Sequence, residues 1–105
     1  MTIDQLLGLL SVGVKKGASD IHLEVGYPPS YRIRGELFAA KLDRLTPADT
    51  QLLAQHILGN TDPFFQGTRH DVDRGFGLPG VARFRASVFR QRGSVGIVMR
   101  IIPSA

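Results

Sequence analysis

The chain contains no cysteine. That removes a disulfide framework, a thiolate metal site and a cysteine nucleophile in one step. It has no basic leader followed by a small-residue cleavage site at its N-terminus, so no signal peptide is expected. No apolar run approaches the roughly 20 residues that span a bilayer. The phosphate-binding GxxxxGK[ST] loop, the HExxH zinc motif and the nucleophile elbow are all missing, as is any convincing pair of catalytic carboxylates. Gly75-Phe76-Gly77 is too short and too isolated to cradle a phosphate. Self-contained catalysis is therefore not expected, and a cytoplasmic domain is. Lysine is scarce, at three residues against ten arginines.

What is present suits a single globular domain. The 105 residues are 43% hydrophobic and 21% charged, a balance that excludes disorder and allows a core. The net charge of +4 is concentrated at one end. Seven of the ten arginines fall between Arg69 and Arg100, against two acids, Asp71 and Asp73. An arginine bias suits planar, bidentate contact with phosphate or carboxylate. A nucleic-acid binder is one reading of such charge. Against it stand the lack of lysine clusters, of a basic helix and of paired aromatics on a strand face, so no nucleic-acid partner is expected.

Periodicity orders the chain. Thr2 and Gln5 form a capping box for a helix whose apolar side is Ile3, Leu6, Leu7, Leu10 and Val14, ending near Lys16 with Gly17 beyond it. Residues 18–25 alternate Ile21, Leu23 and Val25 with Asp20, His22 and Glu24, a strand with one core face. The Asp20, His22, Glu24 trio could in principle ligate a metal, but without further ligands it reads as an exposed strand face with a structural Asp at its start, and no metal site is expected. Tyr31 to Leu37 returns as a strand with Gly35 as a bend or bulge, and a third strand is expected through Phe38 to Leu42. Thr46 and Pro47 start a second helix with Leu52, Leu53, His56 and Ile57 on its apolar side, stopped by Gly59. His56 there reads as a boundary or core histidine. Asp62-Pro63 signals a short helix ending at Gly67, and Asp71 to Phe76 reads as an edge strand. Leu78-Pro79-Gly80-Val81 is a tight turn.

Two long strands close the sequence, joined by a turn at Arg92-Gly93. In the first, Ala82, Phe84, Ala86 and Val88 point one way and Arg83, Arg85 and Ser87 the other. The second is apolar almost throughout, except at Arg100, which is expected to sit in a well-buried strand. A turn centred between Arg92 and Gly93 pairs positions that sum to 185, which sets Arg85 opposite Arg100. Like charges directly opposite are destabilising, so the pair invites an anion. The overall order predicts an α+β fold: a PAS-like antiparallel sheet with helices packed on one face.

Four stretches carry a resemblance to a known family. They are Lys16-Gly17-Ala18-Ser19-Asp20-Ile21-His22-Leu23-Glu24, Pro28-Pro29-Ser30-Tyr31-Arg32-Ile33-Arg34-Gly35, Gly80-Val81-Ala82-Arg83-Phe84-Arg85-Ala86-Ser87 and Val98-Met99-Arg100-Ile101-Ile102-Pro103. In order and spacing they resemble the N-terminal domain of the secretion and type IV pilus ATPases, most of all the retraction (twitching motility, PilT-like) type. The resemblance implies residues 1–102 as a PAS-like N-terminal domain and residues 103–105 as the start of a linker to a RecA-like ATPase domain that this chain does not contain. It implies a hexameric, ATP-hydrolysing motor at the cytoplasmic side of the inner membrane, partnered by its own and neighbouring ATPase domains and by the pilus inner-membrane platform. It implies ATP and Mg2+ as cofactors of the full-length protein, none held tightly by this chain alone. By motif position, Arg85 and Arg100 would be arginine fingers on the nucleotide phosphates, with Arg83 as a further contact. A ligand-sensing or protein-interaction module with a pocket around Phe84 and Met99 is the alternative, as is a pilus-assembly or type II secretion ATPase domain.

Overall fold

A computed structural model describes residues 1–103. Ser104 and Ala105, within the expected start of a linker, lie outside the described residues. The described chain holds two α-helices, α1 (Ile3–Lys15) and α2 (Pro47–Leu58), a 3-10 turn at Pro63–Gln66, and six strands. The strands are β1 (Asp20–Leu23), β2 (Ser30–Ile33), β3 (Glu36–Ala39), β4 (Asp71–Leu78), β5 (Ala82–Gln91) and β6 (Ser94–Ile102). They form one antiparallel sheet in the order β3-β2-β1-β6-β5-β4. The fold is α+β, with both helices on one face and the other face open.

Both helices begin with the caps the sequence encodes. Thr2 and Gln5 satisfy each other's backbone amides at the start of α1, and Thr46 and Asp49 do so at α2, where Pro47 occupies the first turn. Asp49 is almost fully buried and also binds the Met1 ammonium at 2.6 Å. The buried stripe of α1 is Leu6, Leu9, Leu10 and Gly13. Gly13 allows α1 to lie close on the sheet: a Cβ there would come within 2.6 Å of Ile21 and 2.9 Å of Tyr31. The Tyr31 hydroxyl donates to the Leu9 carbonyl at 2.8 Å across the same contact. The core between layers includes Ile21, Leu23, Tyr31, Leu53, Phe64, Phe84, Val88, Ile97 and Met99.

Three expectations need correction. The third strand begins at Glu36 rather than Phe38, because Gly35 is half of a two-residue turn and no bulge. Arg34 and Gly35 both have positive φ (53° and 82°), the hairpin geometry that matches strand twist. The first strand is only Asp20–Leu23, and Val25 instead makes an isolated parallel bridge to Leu45. His56 is exposed, its ring edge-on to Phe76, because the stripe of α2 that meets the core runs through Thr50, Leu53, Ala54, Ile57 and Leu58.

Candidate functional site

The closing hairpin has the register read from its turn. Arg92 and Gly93 both take positive φ (54° and 80°), Gln91 faces Ser94, and Arg85 faces Arg100. Strand alternation then divides the C-terminal arginines between the two faces. Arg74 and Arg90 point to the helix side and fasten the 3-10 turn. Arg74 pairs with Asp62 at 2.8 Å, while Arg90 donates to the Phe64 carbonyl at 3.0 Å and stacks on the Phe64 ring. Arg83, Arg85 and Arg100 point to the open side, and all three are exposed. Arg100 is thus not buried, although Met99 beside it is. The open face tolerates apolar neighbours, so Val98 and Ile102 share it with Arg100.

One row across the sheet organises this face. Arg32 on β2, Asp20 on β1, Arg100 on β6, Arg85 on β5 and Gly75 on β4 are successive cross-strand partners. A single carboxylate therefore stands among three guanidiniums. It is committed to one side. Asp20 accepts from the Ser19 hydroxyl at 2.8 Å, contacts the His22 ring and lies 3.5 Å from the Arg32 guanidinium. Burial disfavours the charged carboxylate, but the Ser19, His22 and Arg32 contacts together outweigh it and hold its pKa below the usual range. No ion pair or hydrogen bond joins Arg83, Arg85 or Arg100 to another side chain among the described residues.

Strand β4 keeps the space beside these arginines clear. Gly75 lies across from Arg85 and Gly77 across from Arg83, whose guanidinium lies 3.6 Å from where a Gly77 Cβ would stand. Phe76 between them turns to the helix side, against Phe84. Farther along, Ser87 donates to Asp73 at 2.7 Å and so occupies the nearest acid of that strand. The arrangement is a strip of exposed arginines with no side-chain partner among the described residues, suited to a polyanion. Sequence reasoning had Arg83, Arg85 and Arg100 but missed Asp20 and Arg32 as their row neighbours, since those meet only through the pairing of β1 with β6. The Asp20, His22, Glu24 trio does not gather: Asp20 and His22 bind each other, and Glu24 lies beyond the end of β1.

No protein-family model matches the chain. It is 36% identical over 96 residues to the type IV pilus retraction ATPase PilT of Pseudomonas aeruginosa, covering 91% of this chain and 28% of that protein. It is 30% identical over 102 residues to the type IV pilus ATPase PilU of the same organism, covering 97% of this chain and 26% of PilU. Among solved structures, the pilus retraction motor PilT with bound ADP superposes with a TM-score of 0.83 at 43% identity, over 94% of this chain and 29% of that one. The Legionella pneumophila ATPase DotB also reaches 0.83, at 23% identity, over 100% of this chain and 30% of its own, a likeness of fold. The chain spans under a third of the length of these relatives.

Proposed function

The chain belongs to the PilT-like family of pilus and secretion ATPases, whose N-terminal domain it matches, and from that premise we propose that it is the N-terminal domain of a hexameric motor driving type IV pilus retraction. In this reading the open face of the sheet meets nucleotide at the boundary with RecA-like ATPase domains, following a linker that starts at residues 103–105. The carrying observation is the Arg85–Arg100 pair: two arginines directly opposed in strand register, exposed and unpaired among the described residues. Two like charges held about 4.5–5.5 Å apart at Cα are a cost in the domain alone. A phosphate chain converts that cost into two charge-assisted contacts.

Arg85 and Arg100 would serve as arginine fingers, neutralising charge that develops on the transferring phosphoryl group. Arg83, on the same side of β5, would hold the outer end of the same anion. The chain lacks a phosphate-binding loop, so it supplies these donors and the ATPase domain supplies the rest of the site. Among the described residues no cluster of His, Asp or Glu could hold a metal ion, so Mg2+ would be held by the phosphates and the ATPase domain. The motor would act at the cytoplasmic side of the inner membrane, against the pilus platform. No described helix is long and apolar enough to cross a membrane. Identity to PilT supports retraction over an assembly or type II secretion role. Phe84 and Met99 are fully buried among core residues, which weighs against a ligand-sensing pocket around them.

The test uses the full-length protein. Arg85→Ala and Arg100→Ala should each lower ATP turnover by about a hundredfold or more while leaving the hexamer assembled. The 105-residue chain alone should turn over no ATP. Near wild-type turnover in both variants would overturn the arginine-finger assignment.

A further inference from the structure

Strand β3 ends the sheet with one side unpaired, and all four of its residues are exposed. An open edge presents free N–H and C=O groups to any extended chain. Proteins usually blunt such edges with proline, a bulge or lysines on the strand. β3 is short, at four residues, and carries Glu36 at its first position, but it has no proline, bulge or lysine. Its centre is Leu37 and Phe38, each about half exposed and pointing to opposite faces.

The helix-side half of this edge is a groove of about 680 Å3. Phe38, Val12 of α1 and Leu42 form its walls, each more than 40% exposed, and Tyr31 contributes to its floor. Exposed apolar residues scattered singly are ordinary, but these are contiguous. Lys16 and Lys41 also line the groove, and they are two of only three lysines in the chain. No acidic side chain lines it, and neither lysine forms an ion pair among the described residues.

We propose that this edge and groove are a docking site for an extended, acidic segment of a partner protein, which adds beside β3 as a seventh strand. Main-chain hydrogen bonds to β3 supply affinity and alternate side chains supply specificity. Apolar side chains on one face of the segment enter the groove against Phe38 and Val12, and those on the other cover Leu37. A carboxylate meets Lys16 and Lys41. A second copy of this chain fits less well. A two-fold interface sets the same patch against itself, and so brings the lysine pair toward its own image.

Selection of displayed random peptides of about 12 residues against the full-length protein tests this. The expected sequences alternate apolar residues and carry Asp or Glu. Synthetic versions should bind wild type and weaken by about tenfold or more with Phe38→Asp and with Lys16→Glu plus Lys41→Glu. Leu37→Asp, on the opposite face, reports occupancy of the edge without touching the groove, and an unchanged unfolding midpoint verifies each fold. N-methylating alternate peptide amides should abolish binding in one register and spare it in the other. No enrichment, enrichment of neutral or basic sequences, or binding indifferent to these variants would overturn the proposal. So would a concentration-dependent dimer that Phe38→Asp dissolves, which would assign the edge to a second copy.

Discussion

Asp20 and Arg100 stand directly across from each other on β1 and β6, yet the carboxylate pairs with Arg32 on its other side. Three donors from its own half of the sheet, Ser19, His22 and Arg32, occupy its oxygens. Arg100 is left facing only Arg85. The positive strip persists because its nearest acid is already committed.

Removing one member of the strip should therefore relieve the fold. Arg85→Ala or Arg100→Ala in the isolated chain is expected to change stability by a few tenths of a kcal/mol, in the stabilising direction, at low salt. The gain should fade as salt screens the pair. Urea unfolding at two ionic strengths measures this, and a large loss in either variant would show a structural role instead.

Acid should unfold the domain through three carboxylates. Burial works against ionised Asp20 and Asp49, but hydrogen bonds and neighbouring cations outweigh it and lower both pKa values. Asp62 is lowered by the Phe64 amide and by Arg74. Each holds its proton less tightly folded than unfolded, so the unfolded chain takes up more protons as pH falls. Their stabilisation is complete above the unfolded value of about 4 and is lost as pH drops through the lower folded values. The urea midpoint should be flat from about pH 7 to 5 and fall below about pH 4. Asp20→Asn should lower stability at pH 7 by roughly 1–3 kcal/mol and make the acid limb shallower.

Gly13→Ala is expected to destabilise although alanine is the better helix former. The new methyl would meet Ile21 and Tyr31 at 2.6 and 2.9 Å, and repacking costs roughly 1–3 kcal/mol. The same change at Gly8, where a Cβ would meet nothing within 4 Å beyond its chain neighbours and its own helix backbone, should stabilise by about 0.5–1 kcal/mol. Thermal unfolding of the two variants should move in opposite directions.

Both two-residue hairpin turns place arginine where φ is positive, at Arg34 and Arg92. Asparagine tolerates that region better. Arg92→Asn should raise stability by a few tenths of a kcal/mol with no change in strand register. Amide chemical shifts along β5 and β6 would report the register, and urea unfolding the gain.

The parts of the fold that sequence could reveal are the local ones. Thr2 and Thr46 caps, the 185 pairing rule and the outward phase of Arg83 and Arg85 each depend on residues near one another in the chain. Arg100 defeated the same reasoning in one respect. Val98, Met99, Ile101 and Ile102 around it suggested burial, but two of the four lie on the open face with it. Gly75 and Gly77 are too isolated to form a phosphate-binding loop, and their place beside Arg85 and Arg83 shows only once β4 pairs with β5. The Asp20 relation was beyond reach, because the β1–β6 pairing joins distant parts of the chain and nothing local encodes its register. Arg34 at positive φ is a choice that residue preferences argue against, and it hid the true start of β3.

The meander of β4, β5 and β6 also bears on how the domain assembles. Hairpins with two-residue turns close quickly, on the order of 1–10 μs, whereas joining β1 to β6 closes a loop of most of the chain. By loop entropy alone, Arg85 and Arg100 meet early and Asp20 arrives last. Their mutual repulsion then opposes closure of the β5–β6 hairpin. Conditions that screen it, salt or a phosphate anion, should therefore speed folding as well as favour the folded state.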